Sequence, residues 1–211
     1  MRGFRDRAEA GRALGALLQD KTPDDVVVLG LARGGVLVAA QVATALAAAL
    51  DVCVVRKLGA PTQPEFAFGA IAEVDGGFVE FVDEATVRAL HLDESDVDKV
   101  RRAEAAELAR RARADRDDRP MLDVRGKQVV LVDDGLATGA TMRAAIRSVR
   151  KRGASRVTVA VPVGAPTTVA ELRADAEVVC VLTPARFFAV GYFYDDFTAP
   201  TDDELRALLR G

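Results

Sequence analysis

The stretch Val129-Val130-Leu131-Val132-Asp133-Asp134-Gly135-Leu136-Ala137-Thr138-Gly139-Ala140-Thr141-Met142 joins an apolar run, two acidic residues and a loop of small residues. A strand that is buried on both faces has a continuous β-branched sequence, and residues 129–132 have one. The glycines and threonines that follow permit a tight backbone curl whose N–H groups and hydroxyls point inward at the start of a helix. The stretch therefore predicts a strand, a phosphate-binding loop and a helix in succession.

The two acidic residues stand at the carboxyl end of the predicted strand. Ionised carboxylates are strong acceptors for a vicinal diol, so Asp133 and Asp134 beside a phosphate loop favour a phosphorylated sugar as ligand. An ordinary strand-to-helix turn remains the alternative for either half of the stretch. The loop lacks the Gly-Lys-Ser or Gly-Lys-Thr of a Walker A motif and is not a dinucleotide fingerprint.

The composition fits one domain, residues 1–211, because half of the 211 residues are apolar. The net charge of −3 gives no general attraction to nucleic acid or membrane surfaces.

Cys53 and Cys180 lie in apolar runs and are expected to be buried free thiols, as in a reducing compartment. The N-terminus also has no apolar leader segment, so we expect a cytoplasmic protein. The chain has a single histidine, His91, so no histidine-based triad or zinc site can be assembled from it. We expect His91 to face solvent.

Five apolar strands alternate with helical segments along the chain. This order predicts an α/β fold with a doubly wound, mostly parallel five-stranded sheet, in which ligands bind beyond the carboxyl ends of the strands. The strands are predicted at 26–31, 51–56, 129–132, 156–163 and 177–182. Helices are predicted at 4–18, 36–50, 84–90, about 94–116 and 141–152, from Pro166 onward, and after a capping box at Thr201–Glu204. Residues 66–74 and 78–82 flank Asp75-Gly76-Gly77 and predict a β-hairpin.

A second loop follows the first predicted strand. Arg33, Gly34 and Gly35 form a tight turn there, and the sheet order allows this turn to face the same crevice as Asp133 and Asp134. An arginine beside glycines lets backbone N–H groups and a forked guanidinium approach a diphosphate together.

Residues 129–142 resemble the phosphoribosyl pyrophosphate signature of type I phosphoribosyltransferases. The resemblance implies that phosphoribosyl pyrophosphate is the ligand, with Asp133 and Asp134 on the ribose. It places the pyrophosphate at Arg33, Gly34 and Gly35, in a loop that often contains a cis peptide in this family, and it implies Mg²⁺ as cofactor. The 5′-phosphate would lie on Gly135, Leu136, Ala137, Thr138, Gly139, Ala140 and Thr141.

The same resemblance implies three additions to the sheet: a β-hairpin lid at about 58–82, a helical insertion at about 84–119 and a C-terminal hood at about 183–200. Arg56 and Lys57 precede the hairpin and would meet the charge of the leaving group, as catalytic residues together with Asp133 and Asp134. In the hood Phe188 would stack on a base, the backbone of Ala189 or Val190 would contact its edge, and Asp195 would lie near a metal ion or the base.

The identity of the base stays open in the sequence. The hood resembles that of the 6-oxopurine enzymes, but those enzymes carry an acidic residue where this chain has Ala137, whereas adenine and orotate enzymes have Ala. The general acid or base is therefore unassigned.

The function implied is transfer of a 5-phosphoribosyl group from phosphoribosyl pyrophosphate to a nitrogenous base, with release of pyrophosphate, in purine or pyrimidine salvage. The alternative is a regulatory protein that binds phosphoribosyl pyrophosphate without turnover. The Arg-rich helix at 94–118 is expected to be a solvated face, with a homodimer contact as the next interpretation. A nucleic-acid-binding role for it is disfavoured because acidic residues are interleaved.

Overall fold

A computed structural model of the chain describes residues 3–19, 25–116 and 119–210, and the strands fall into two sheets. The strands are β1 (Val26–Leu31), β2 (Ala49–Cys53), β3 (Val55–Ala60), β4 (Gln63–Val74), β5 (Gly77–Val82), β6 (Gln128–Val132), β7 (Arg156–Val163) and β8 (Glu177–Leu182). Five of them form a parallel sheet in the order β2-β1-β6-β7-β8. The predicted fold class is confirmed.

Helices cover both faces of the parallel sheet, as the uninterrupted β-branched runs require. The helices are α1 (Arg7–Leu18), α2 (Gly34–Leu46), α3 (Glu84–Ala89), α4 (Glu94–Arg116), α5 (Ala140–Lys151), α6 (Pro166–Leu172) and α7 (Asp202–Arg210). Alternate strand residues point to opposite faces. Val28 and Val130 therefore pack with α1 and α2, whereas Leu29 and Leu131 pack with α5. None of the helices in the described ranges is long and apolar enough to cross a membrane.

Two predicted boundaries were wrong, at the end of α2 and within the second strand. The helix expected to run to Leu50 ends at Leu46, because Ala47 adopts left-handed φ and ψ and its N–H bonds back to carbonyls of the last turn. The strand expected over 51–56 is divided at Val54, where the chain leaves the parallel sheet and enters a second sheet. The residues of one continuous apolar run thus belong to two different sheets. The spacing of apolar residues alone does not reveal this division.

The second sheet is antiparallel, in the order β3-β4-β5. The predicted hairpin is its β4–β5 half, and β3 is a further strand that the prediction did not pair with it. The inner part of β4 belongs to the core, where Phe68 and Ile71 are fully buried. Residues 61–66, at the β3–β4 turn and the start of β4, are exposed.

The helical insertion packs against β3 and β4 through apolar side chains of α4, including Val97 and Leu108. Arg116, at its end, contradicts the expectation of a solvated face. Its guanidinium is almost fully buried and bonds to Glu73 at 2.7 Å, to Asp51 at 3.3 Å and to the carbonyl of Val52 at 2.8 Å. This arginine therefore links the end of α4 to both sheets by hydrogen bonds and ion pairs.

The single histidine and the two cysteines mostly match expectation. His91 is exposed and Cys53 is buried, whereas Cys180 is only partly buried. Burial raises the pKa of the Cys53 thiol to about 12 and that of Cys180 to about 11. Both thiols are therefore protonated at neutral pH.

Candidate functional site

The two predicted ligand loops lie side by side, because β1 and β6 are neighbours with Gly30 paired to Val132. A Cβ atom on Gly34 would stand 2.0 Å from Oδ2 of Asp134, and one on Gly35 would stand 3.0 Å from Oδ1 of Asp133. Only glycine fits such a close approach. The structure therefore brings the 33–35 turn and the acid pair into one crevice, as the sequence predicted.

The 33–35 turn includes a cis peptide bond between Ala32 and Arg33, the feature implied by the family resemblance. The Arg33 side chain contacts the segment that leads into α7. Its Nη2 donates to the carbonyl of Pro200 at 2.9 Å and forms an ion pair with Asp202. Its Nε is buried and has no hydrogen-bond partner within the described ranges. In this arrangement the backbone of Gly34 and Gly35 borders the acid pair, while the Arg33 guanidinium contacts the α7 side.

The 135–141 loop opens α5, as predicted. Gly139 has a φ of +81°, and a Cβ atom there would stand 2.8 Å from a methyl carbon of Thr168. Hydrogen bonds to β7 and α6 hold the loop in place. The Leu136 N–H donates to the carbonyl of Val163 at 2.9 Å, and the Thr168 hydroxyl donates to the carbonyl of Ala137 at 2.6 Å. The first amides of an α-helix have no partner inside the helix and carry its positive end. The loop is therefore held by its neighbours, with Ala137 and Thr138 exposed, and the start of α5 could receive an anion.

The two carboxylates of the acid pair have different partners. Asp134 Oδ2 accepts from Nε of Arg7 at 2.8 Å and forms an ion pair with its Nη2, also at 2.8 Å. Asp133 Oδ1 accepts from the Asp134 N–H at 2.9 Å, and Asp133 has no ion-pair partner within 4 Å in the part of the chain that the structure describes. Burial, with the negative charge of Asp134, raises the pKa of Asp133 well above its usual range. Burial also raises the pKa of Asp134, and Arg7 opposes that rise.

Arg7 is a site residue that the sequence reasoning missed. Its Nη1 donates to the carbonyl of Thr198 at 2.8 Å, and its guanidinium lies 3.9 Å from the ring centre of Phe197. Its partner Asp134 is 127 residues away along the chain, so no local pattern could have identified the pair. The nearest available signal was an arginine on the buried side of the predicted first helix.

The two predicted catalytic cations lie on opposite sides of β3, because they are consecutive strand residues. Arg56 Nε bonds to Glu104 of α4 at 2.7 Å. Lys57 is exposed, and its positive charge lowers the pKa of both Asp133 and Asp134. A cavity of about 510 Å³ lies between β3, its following turn, α4 and Thr141. Lys57 thus acts on the acid pair through its charge, whereas Arg56 is paired with α4.

The hood covers the other side of the crevice. Val190 packs directly over Gly135, where a Cβ atom would stand 2.4 Å from its side chain. Phe188 is 78% exposed, with its ring centre 6.1 Å from that of Tyr192, which is 79% exposed. Ala189 is exposed and precedes a short 3₁₀ turn, Val190–Phe193. Of the predicted base-binding residues, Val190 therefore contacts the 135–141 loop, and Phe188 lies beside the exposed Tyr192 in the same segment.

Asp195, the predicted metal neighbour, is exposed, and its backbone N–H donates to the carbonyl of Phe4 at 2.9 Å. No cluster of three or more metal-binding side chains occurs within residues 3–19, 25–116 and 119–210. Mg²⁺ is commonly held by one or two carboxylates together with substrate phosphates. The residues present fit a metal ion that arrives with a diphosphate ligand, and they do not form a separate protein cage.

The chain matches known proteins over nearly its whole length. The model of the phosphoribosyl transferase domain family matches residues 7–196. Two proteins of Mycobacterium tuberculosis, from strains CDC 1551 / Oshkosh and ATCC 25618 / H37Rv, are each 50% identical over 210 residues, which is 99% of this chain and 47% of theirs. Both bear the name "Putative phosphoribosyl transferase". The chain spans about half the length of these curated relatives.

Solved structures share the fold. The protein TT1426 from Thermus thermophilus superposes with a TM-score of 0.82 and 45% sequence identity, covering 99% of this chain and 98% of its own. A hypothetical protein from Neisseria gonorrhoeae, solved with bound ppGpp, shares the fold alone, with a TM-score of 0.53, 14% identity and coverage of 99% and 95%. Since the family model spans both crevice loops, the acid pair and most of the hood, the chain belongs to the phosphoribosyl transferase domain family.

Proposed function

We propose that this chain binds phosphoribosyl pyrophosphate at the carboxyl ends of β1 and β6 and transfers its 5-phosphoribosyl group to a nitrogenous base, releasing pyrophosphate. One observation carries the proposal: the 33–35 turn, the acid pair and the 135–141 loop meet in a single crevice. Each of these parts suits a different group of one ligand: its pyrophosphate, its ribose hydroxyls or its 5′-phosphate.

The ligand would lie across the crevice in one orientation. The amides at the start of α5 suit the 5′-phosphate, because they present donors and the positive helix end. The carboxylate of Asp133 suits a ribose hydroxyl. The backbone of Gly34 and Gly35 suits the pyrophosphate, and the positive charge of Lys57 on β3 acts on the acid pair. Binding of the remote 5′-phosphate would hold the sugar for reaction.

The chemistry needs no covalent nucleophile. Glycosyl transfer passes through an oxocarbenium-like state while negative charge grows on the leaving group. Lys57 is placed to stabilise that charge, and the glycine amides of the 33–35 turn add hydrogen-bond donors. Bound Mg²⁺ would supply further neutralisation of the diphosphate. We infer a role in purine or pyrimidine salvage, with Phe188 as a stacking surface for the base.

A regulatory protein that binds phosphoribosyl pyrophosphate without turnover is the second candidate, and one observation favours it. Arg33 and Arg56 are both paired with carboxylates of the same chain, Asp202 and Glu104, and not with the acid pair. Fewer cations would then be ready for a departing pyrophosphate than in an arrangement with both arginines facing the crevice.

Two measurements test the proposal and separate the candidates. Phosphoribosyl pyrophosphate with Mg²⁺ should raise the melting temperature, because a ligand at a hundred times its Kd increases the free energy of unfolding by about 2.7 kcal/mol. ATP or NAD should leave the melting temperature unchanged. A panel of nucleobases with the same ligand should then release pyrophosphate. Absence of any shift at millimolar ligand would refute the site assignment, and a shift without pyrophosphate release from any base would favour the regulator.

A further inference from the structure

We infer that Asp202 is a positioning residue for the transfer proposed above: it holds the Arg33 guanidinium at the start of α7 and competes for it with the pyrophosphate of the ligand. The inference rests on the proposed function and concerns the regulation of the same site. It gives α7, which contributes none of the crevice loops, an influence on how tightly the pyrophosphate is bound.

The Arg33 side chain is bonded to the segment that begins α7. Its Nη2 donates to the carbonyl of Pro200 at 2.9 Å and forms an ion pair with Asp202. A capping box holds this segment: the Glu204 carboxylate accepts from the Thr201 N–H at 2.8 Å, and the Glu204 N–H donates to the Thr201 hydroxyl at 3.2 Å. The start of the helix therefore presents Asp202 to Arg33 from a fixed position.

The rest of α7 is anchored to the core. Leu205 and Leu209 are almost fully buried in the apolar cluster that α7 shares with α2 and α4. At the far end of the helix, the carbonyl of Leu209 accepts from Nη1 of Arg119 at 2.8 Å. An exchange of partners by Arg33 would therefore involve movement of its side chain and not of α7.

The contacts at α7 leave part of the Arg33 guanidinium without a hydrogen bond. Its Nε is buried and has no partner among the residues that the structure describes, an arrangement that costs free energy. Asp115 of α4 is almost fully buried nearby: burial raises the pKa of its carboxyl, and the charge of Arg33 opposes that rise. Its Oδ2 also has no partner within the described ranges, so Asp115 attracts Arg33 without completing its bonds.

A diphosphate can complete those bonds. Its oxygens can accept from Nε and from an Nη group together, in the forked geometry that arginine favours. Arg33 directly precedes Gly34, which borders the acid pair of the crevice. Rotation of the Arg33 side chain about its own bonds can therefore carry the guanidinium from α7 toward a diphosphate on the 33–35 turn.

The ion pair with Asp202 is weak enough to be exchanged. The Asp202 side chain is 63% exposed and that of Arg33 is 30% exposed. Ion pairs that are open to water contribute little free energy, because water solvates both partners when they separate. A diphosphate carries more negative charge than one carboxylate and can therefore displace Asp202 from Arg33.

The first test compares Asp202→Asn with Asp203→Asn in binding titrations. Asp203 is 93% exposed and pairs with Arg206, so it is a matched control that removes the same charge from the same helix start. Asp202→Asn should tighten the binding of phosphoribosyl pyrophosphate and of inorganic pyrophosphate, each with Mg²⁺, by about two- to fivefold. Ribose 5-phosphate should bind this variant as it binds the wild type, and Asp203→Asn should leave all three affinities unchanged.

The second test repeats the titrations in an Arg33→Met background. Arg33→Met alone should weaken the binding of both pyrophosphate ligands and leave that of ribose 5-phosphate unchanged. If Asp202 acts through Arg33, adding Asp202→Asn to this variant should have no further effect on any of the affinities. A role of Asp202 in the fold alone would not change the affinity for pyrophosphate ligands selectively.

The outcomes separate this inference from the proposed function. A wild-type chain that binds none of the three ligands refutes the proposed site itself. If the wild type binds phosphoribosyl pyrophosphate and Asp202→Asn binds it no more tightly, only the competition for Arg33 is refuted. A gain in affinity that extends to ribose 5-phosphate, or that persists in the Arg33→Met background, also refutes the competition, because Asp202 would then act by its charge alone.

Discussion

Two largely buried charge clusters of this protein contain the same groups, one arginine and two carboxylates, in different arrangements. In the insertion cluster Arg116 contacts both Glu73 and Asp51, and the second oxygen of Asp51 accepts from the Leu122 N–H at 2.9 Å. In the crevice cluster Arg7 forms an ion pair with only one of the two carboxylates, Asp134, and Asp133 has no cation within ion-pair distance among the described residues.

We infer from the difference that arrangement, and not composition, separates a structural cluster from the proposed ligand site. A buried charge that is fully bonded holds elements together, and its loss leaves an uncompensated partner. A carboxylate left with spare acceptor capacity lowers the stability of the free protein but can gain a bond when ligand arrives. The insertion cluster fits the first description and the crevice cluster fits the second.

The strongest test of this contrast is Arg116→Met. It should lower the free energy of unfolding by about 3–5 kcal/mol, because Asp51 and Glu73 would stay buried without their cation. Urea denaturation measures the change, and Arg113→Met, an exposed arginine one turn earlier in α4, is the control. Phosphoribosyl pyrophosphate affinity of the folded variant should be unchanged. A loss of affinity with intact stability would reverse the roles given to the two clusters.

Lys57→Ala should affect catalysis and leave the fold alone. In the proposed mechanism this exposed lysine stabilises charge that grows in the transition state, so turnover should fall by about a hundredfold while binding of phosphoribosyl pyrophosphate weakens much less. Steady-state turnover beside a binding titration gives both quantities. The control is Lys151→Ala, which replaces an exposed lysine of α5 and should behave as wild type. Normal turnover in Lys57→Ala would exclude Lys57 from the mechanism.

Asp133→Asn should weaken ligand binding without unfolding the protein. A charge-assisted hydrogen bond contributes about 1.5–3 kcal/mol, so the Kd for phosphoribosyl pyrophosphate should rise by about one to two orders of magnitude. Calorimetric titrations measure the change, and an unchanged Kd in the folded variant would contradict the assignment of Asp133 to the sugar.

The smallest effect concerns the stability of the same variant. Because burial raises the pKa of Asp133, its ionised form costs stability in the free protein, and this cost is fully present above the raised folded pKa. Asp133→Asn should therefore melt at a higher temperature than wild type at neutral pH. The difference in melting temperature between the variant and wild type should shrink as the pH falls through the pKa of Asp133 in the folded protein, because wild-type Asp133 then becomes neutral. A variant that melts lower than wild type at neutral pH would show that Asp133 is a structural carboxylate after all.

The parallel sheet and its ligand loops could be predicted because their determinants are local. Continuous β-branched runs identify buried strands, and the sequence from Val129 to Met142 holds a strand, a loop and a helix start within fourteen residues. The 33–35 turn could be assigned to the same crevice from the order of strands and helices alone. These inferences need only short-range sequence and the topology rules of α/β sheets.

The buried arginines could not be predicted in the same way. Arg116 belongs to a helix rich in arginine and acids, and its acidic partners are 65 and 43 residues distant along the chain. A pattern of alternating charges looks the same whether a helix is solvated or packed. Likewise, nothing in residues 51–56 marks Val54 as the point where one sheet ends and the other begins, because both neighbours are apolar and buried.

The pairing of the chain's first described residues with the hood has a practical consequence for where the domain can be cut. Phe4 exchanges backbone hydrogen bonds with Phe193 and Asp195, at 2.8 and 2.9 Å, and Arg33 is held by Pro200 and Asp202. Phe4, Pro200 and Asp202 all lie outside residues 7–196, the range that the family model matches. A fragment trimmed to that range would keep every loop of the crevice, yet it would release the hood on one side and the Arg33 guanidinium on the other. Family boundaries drawn from sequence similarity are therefore too narrow for truncation experiments on this protein.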